Sequence, residues 1–163
     1  MNKAEKKKTA FLIGISIVAI ALLLLVNVRL VQTSENQYAN YFASVTQSSV
    51  NLTRDYQDKI GLWELGQISN SSMALITDDY LRNFTTQLDR FNQTESPDVF
   101  KDAKNSLANS FANEIKSYEY FKDFLVTGNE TMNQISTVYL SKSLEDEANA
   151  FKYYKDVING TKS

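Results

Sequence analysis

Residues 96–129, SPDVFKDAKNSLANSFANEIKSYEYFKDFLVTGN, decide how this chain folds. Apolar side chains return in steps of three and four through Phe100, Ala103, Leu107, Phe111, Ile115, Tyr118, Phe121 and Leu125. That is the period of one face of an α-helix and not the period of two of a strand. The start is marked as well. Ser96 is an N-cap candidate, Pro97 suits a first helical position where an N–H would lack a partner anyway, and Asp98 adds negative charge to the first turn. At the far end Thr127-Gly128-Asn129 offers a glycine to close this helix and an Asn cap to open another.

The same period extends to both sides. Upstream, Met73, Ile76, Tyr80, Phe84, Leu88 and Phe91 form one stripe, and Tyr38, Tyr41, Val45, Ser49, Leu52, Tyr56 and Ile60 form another. Downstream, Ile135, Tyr139, Leu144, Ala148, Phe151, Tyr154 and Ile158 form a fourth, with one five-residue step. Helices are therefore expected at about 33–65, 71–92, 97–127 and 130–158, with the first turn near 66–70. Amphipathic helices joined by short loops pack as antiparallel neighbours, so the fold class is all-α and residues 32–163 are read as an up-down-up-down four-helix bundle. Replacing Phe111 or Ile115 by Asp is expected to unfold it by burying an unpaired charge.

Ahead of the bundle the composition changes. Lys3, Lys6, Lys7 and Lys8 precede an apolar stretch at 9–31, whose 23 residues make about 34 Å of helix against a bilayer core of about 30 Å. A signal anchor is the expectation, with 1–8 as a short basic cytoplasmic tail, 9–31 in the lipid bilayer and 32–163 extracytoplasmic, because four lysines lie on one side and only Arg29 near the other. The competing readings are a cleaved signal peptide and a buried helix. Residues 27–34 lack an A-x-A-like cleavage site, and there is no Cys for lipid attachment. Neither Gly nor Pro occurs between Ser16 and Ile60, so the first bundle helix can run on from the span.

Composition removes several kinds of chemistry. The 163 residues include no His, no Cys, one Pro and five Gly, with a net charge of −2. Zinc fingers, the common haem sites, Ser/His or Cys nucleophile pairs and disulfide frameworks are excluded. After Arg29 there are 12 Lys or Arg against 18 Asp or Glu, a net charge of −6 that disfavours nucleic acid and anionic lipid as partners.

Six N-x-[ST] sequons occur, at Asn51, Asn70, Asn83, Asn92, Asn129 and Asn159, all beyond residue 31. With 15 Asn and 28 Ser or Thr, chance predicts about 2.6. They are candidate N-glycosylation sites, and the plain alternative is a surface rich in Asn, Ser and Thr. A cysteine-free exterior domain fits a microbial, especially archaeal, surface protein better than an animal one.

In architecture, the four stripes behind an amino-terminal anchor resemble the extracytoplasmic four-helix-bundle ligand-binding domains of bacterial and archaeal chemoreceptors and sensor kinases. The resemblance covers 32–163 and implies ligand binding outside the membrane. It does not extend to the second transmembrane helix and signalling domain of those receptors.

No catalytic, cofactor or metal site is expected. Glu145, Asp146 and Glu147 are consecutive, spread over about 200° of helix, and are read as a solvated face. Asp78 with Asp79 and Asp55 with Asp58 are read as surface charge. Most of the nine Tyr, nine Phe and Trp63 are expected in the core. Tyr120 and Tyr153 fall outside the stripes and form the candidate contact patch.

The leading functional expectation is a non-enzymatic, single-pass surface protein whose bundle binds a protein, a glycan or a small ligand. One alternative is a pilus-like filament subunit. Archaeal type IV pilin-like proteins are similar in beginning with a few lysines and a long apolar helix, and Lys8-Thr9-Ala10 offers a permissive processing site. Another is an accessory or sensing subunit of a larger membrane complex, with Gly14, Ser16, Ala19 and Ala21 permitting close helix contacts in the bilayer.

Overall fold

The computed structural model describes residues 34–160, and these form four long helices: α1 (Ser34–Glu64), α2 (Asn70–Gln93), α3 (Lys101–Thr127) and α4 (Glu130–Ile158). No strand occurs among the described residues. The basic tail at 1–8 and the apolar stretch at 9–31 lie outside them. Among the described residues no helix is long and apolar enough to cross a membrane.

The turns carry the chemistry that ends and starts helices. After α1 the chain closes in a Schellman arrangement, Gly66 bonding back to Trp63 and Gln67 to Leu62, with Gly66 at φ +74°. Ser69 then caps α2 through its hydroxyl, which accepts from the Ser72 N–H at 3.1 Å. Gly128, at φ +69°, ends α3, and the Asn129 side chain caps α4 by accepting from the Thr131 N–H. Between α2 and α3 the start differs from the sequence expectation. Pro97 occupies the cap position with extended backbone and no side-chain cap bond, and the chain enters α3 through a 3-10 turn, Asp98–Phe100. That tighter entry sets Phe100 wholly inside the core. Lys104 covers the C-terminal carbonyls of Asn92 and Thr94, which α2 itself leaves without partners.

Pairwise contacts fix the topology. Phe84 and Phe91 of α2 meet Tyr118 and Phe111 of α3 in reverse order, so these two helices are antiparallel. Ser110 and Ser117 of α3 meet Ser143 and Ser136 of α4, again in reverse. Helix α1 runs parallel to α3, with Tyr38 on Phe100 and Tyr56 on Tyr118, and closes the bundle by stacking Phe42 on Tyr154 of α4 at 4.9 Å.

The core divides into two apolar clusters. One, at the end bearing the α1–α2 and α3–α4 turns, holds Tyr56, Trp63, Met73, Phe84, Phe121 and Phe124. The other holds Tyr38, Phe42, Phe91, Phe100, Leu107 and Phe111. Between them lies a layer that includes buried Thr46, Ser49, Ser110, Glu114 and Ser143.

Helix α4 departs from its expected stripe. Its buried residues are Ser136, Ser143, Ala150 and Phe151, whereas Ile135, Tyr139 and Leu144 are half-buried and Ala148 is exposed. The spacing of seven is matched across the seam by Ala103, Ser110 and Ser117 of α3, all buried. Small side chains let two backbones approach, and α3 and α4 come closer than any other pair. The core face of α4 is therefore marked by small residues, and its large ones flank it.

Candidate functional site

Two features of the described residues have chemistry beyond packing: a carboxyl buried inside the bundle with a second, half-buried one on the neighbouring helix, and a set of surfaces bearing the candidate glycosylation and contact residues.

Glu114 projects from α3 into the polar layer and is 7 % exposed. Its Oε1 accepts twice, from the Thr53 hydroxyl of α1 at 2.9 Å and from the Tyr118 hydroxyl at 2.6 Å. Burial pushes the Glu114 carboxyl above the usual carboxylate range, and the two donors offset part of that shift. Glu147 of α4 interacts with it. Burial, and then the charge of Glu114, push Glu147 up to about 8. Side chains lean toward the N-terminus of their own helix, so residues offset along two antiparallel helices converge. The neighbouring pair shows this, Asn113 donating to Asp146 at 2.8 Å. Tyr118 is raised well above its ordinary value by burial and by Glu114. Tyr56, edge-on to Tyr118 at 4.4 Å, shares its hydroxyl with Thr77 of α2 at 2.9 Å.

This corrects one sequence expectation. Of the run Glu145, Asp146 and Glu147, only Glu145 is exposed; Asp146 is bonded to Asn113, and Glu147 is half-buried. Glu114 was not singled out at all. Its signal was present, since it lies three residues after Phe111 and four before Tyr118, which is a core position. Glu147 likewise lies three after Leu144 and four before Phe151.

A cleft of about 30 Å³ is lined by Ile60 and Trp63 of α1, Ser117 and Tyr118 of α3, and Ser136 and Leu140 of α4. That is room for one or two waters. A wider surface groove of about 610 Å³ runs between α1 and α2, and both Asn51 and Asn83 line it along with Ser48, Asp55, Gln87 and Arg90.

All six sequon asparagines are exposed. Three also have structural bonds: Asn51 Oδ1 accepts from Gln47, Asn70 Oδ1 from the Trp63 indole at 2.7 Å, and Asn129 Oδ1 caps α4. A glycan is carried on Nδ2, so each carbonyl oxygen stays able to accept. Neither α3 nor the interior of α4 carries a sequon.

Tyr120 and Tyr153 are both half-buried and are not brought together. Tyr120 stacks on Tyr139 of α4 at 5.5 Å and 7°. The Lys116 and Lys142 ammoniums lie 5.4 and 5.2 Å from the Tyr139 ring centre. Tyr153 lies against the other apolar cluster, about 30 Å along the bundle at the helical rise. Asp78 pairs with Lys122 at 2.5 Å and Asp79 with Arg82, while Asp55 and Asp58 are exposed. Trp63 is buried edge-on to Phe121 and Phe124. Among the described residues no group of three or more potential metal ligands converges. No family model, curated protein or solved structure matches the chain.

Proposed function

We propose that this chain is a non-enzymatic, single-pass surface protein, anchored by residues 9–31 with 1–8 cytoplasmic, whose extracytoplasmic bundle binds a partner through the outer face of α3 and α4. The tether reading is supported by the sequence, in which four lysines at 3–8 precede the 23-residue apolar stretch at 9–31. The contact face is supported chiefly by the Tyr120–Tyr139 stack under Lys116 and Lys142, an aromatic and cationic spot on an acidic domain. Glycans at Asn51 and Asn83 would cover the α1–α2 groove and leave that face bare. A partner presenting carboxylates fits it best, whether protein or acidic glycan.

Intact-mass spectrometry of the protein from its native membranes tests the tether. A mass of 18.5 kDa on retained Met1, with or without glycan increments, supports it. Loss of eight to ten residues supports the filament-subunit alternative, and loss of about 30 a secreted bundle. A photo-crosslinking residue at Tyr120 tests the face. A discrete adduct that disappears in Tyr139→Ala supports it, and labelling equal to that from a probe at Ser48 overturns it.

A further inference from the structure

Helix α1 carries an outer face without charge. Residues 36–53 include no Asp, Glu, Lys or Arg in 18 positions, where the composition of the chain predicts about four. The exposed residues of that stretch are Gln37, Asn40, Ser44, Gln47, Ser48 and Asn51, all amides or hydroxyls. Ser and Asn are poorer helix formers than Lys or Glu, and none of the six can make the i,i+4 ion pairs that support an exposed helix. This face gives up helix stability without serving the core, and a local rule broken in that way is a mark of function.

The same face supplies one wall of the 610 Å³ groove, a size within the roughly 300–1,000 Å³ of small-molecule sites. Ser48 and Asn51 of α1 stand across it from Asn83 and Thr86 of α2, and the half-buried Val45 and Leu52 add apolar surface. Gln87 donates its side-chain amide to the Val45 carbonyl at 3.0 Å, which fixes the antiparallel register and puts Arg90 and Asp55 near opposite ends. From Tyr41 to Asp55 the groove follows about 21 Å of α1. Charge therefore stands at the ends and the middle is neutral. Its polar groups keep hydrogen-bonding capacity. Gln87 retains its Oε1 as an acceptor, Asn51 accepts from Gln47 on Oδ1 and retains Nδ2 as a donor, and Ser44 and Thr86 give their protons to the Tyr41 and Arg82 carbonyls and retain oxygens that accept.

A ligand suited to this trough is extended and uncharged, has hydroxyls that both donate and accept, and turns C–H faces toward Val45 and Leu52. Those are the properties of a neutral carbohydrate chain. We propose that the α1–α2 groove seats an uncharged oligosaccharide, lying along the bundle between Asp55 and Arg90. An acidic chain fits less well, because among the described lining residues Arg90 is the only cation and Asp55 would repel it. The seat is separate from the Tyr120–Tyr139 face, which belongs to the other two helices, and stands whether or not that face binds a partner. Two sources supply such a chain: a separate glycan, or one carried by this protein on Asn51 or Asn83, which line the same groove.

Saturation-transfer NMR and titration calorimetry on the full-length chain in lipid nanodiscs, produced without glycans, test this with maltotetraose, cellotetraose, mannotetraose and tetra-N-acetylchitotetraose as probes. At least one is expected to bind saturably, with the same affinity at about 50 and about 500 mM NaCl because no ion pair is made. Ser48→Trp and Thr86→Trp fill the groove from opposite walls at exposed positions and should each weaken that binding about tenfold or more, whereas Ser141→Trp, exposed on α4, leaves it unchanged. Circular dichroism checks that each variant is folded, and should one groove variant unfold, the other decides. Binding of none of the probes, binding that fades with salt, or an equal loss in Ser141→Trp would each overturn the seat. Protein from native membranes then separates the two sources. If it binds the probe as the bare chain does, the occupant is a separate glycan; if it carries a glycan on Asn51 or Asn83 and no longer binds, the occupant is its own.

Discussion

The bundle has two kinds of seam. Between α3 and α4 the residues in contact are small: Ser110 meets Ser143 and Ser117 meets Ser136, each at 3.2 Å, with Ala103 and Ala150 extending the series. Around α1 they are large. Tyr38, Phe42, Tyr56 and Trp63 reach across to partners at centroid distances of 4.4 to 6.2 Å. A close seam gains many weak atom contacts and leaves no space for water, so it resists local change. A seam built from rings depends on a few large side chains and tolerates the polar layer and cleft beside it. One pair of helices is thus a stiff hairpin, and α1 is the separable element, although it is the longest helix among the described residues.

The largest effect should come from breaking the centre. Phe111 is 4 % exposed and lies edge-on to Phe91, so Phe111→Asp buries a carboxylate without a partner and should abolish the cooperative thermal transition seen by circular dichroism. Ile115 is half-buried beside the other cluster. Ile115→Asp should therefore lower the melting temperature and leave a folded bundle, a finer outcome than the stripe alone suggests, because the carboxylate can reach water.

Next come truncation and overpacking, which set the two seams against each other. Phe42, 1 % exposed against Phe91 and Tyr154, should cost about 3–5 kcal/mol as Phe42→Ala. Ser143→Leu forces apart the α3–α4 backbones and should cost about 1–3 kcal/mol, and the same change at exposed Ser141 should cost almost nothing. Urea denaturation measures all three. If Ser143→Leu is tolerated as easily as Ser141→Leu, the seam is not the close-packed one described.

Much of this was legible before the structure, and the reasons divide along the same line. Apolar periodicity reports where large side chains recur, so it found α1, α2 and α3 and the turns at Gly66 and Gly128. It found α4 as a helix too but misplaced its core face, because that face is largely Ser136, Ser143 and Ala150, which an apolar count passes over. Ser96 and Pro97 signalled the start of a helix, but not that the chain would enter through a 3-10 turn to seat Phe100. The acid pair was hidden by a habit of reading charge as surface. Glu145, Asp146 and Glu147 look alike in sequence, and only the direction in which each leaves the helix separates them.

The pH response provides a third, smaller test. Glu147 is held protonated in the folded bundle and ionises near 4.5 when unfolded, so the native state binds the extra proton between those values. Stability from this group is full below about 4.5 and is lost as pH rises toward about 8. Melting temperature should fall over that interval. Glu147→Gln should leave the value at pH 5 nearly unchanged and raise it by several degrees at pH 8, where the wild-type layer must carry charge. A wild-type curve flat from pH 5 to 8 would show that the pair is solvated and that the layer is no weaker than the hairpin.

The smallest test lies at the turn that joins the stiff pair. Asn129 caps α4 by accepting from the Thr131 N–H at 3.0 Å, and it heads the sequon ending at Thr131. Alanine there removes both roles and should cost about 1 kcal/mol. Aspartate removes only the sequon: its carboxylate accepts the same bond and suits the positive end of the helix dipole. In protein made without glycans, Asn129→Asp should therefore melt no lower than wild type while Asn129→Ala melts a few degrees lower. In protein from native membranes, both variants should lose the same mass increment if the site is occupied. Equal melting of Ala and Asp would mean that the hairpin is held by its seam alone, with nothing added by the cap. That result would sharpen the contrast with α2, where Ser69 has the same capping task but no seam of small residues behind it.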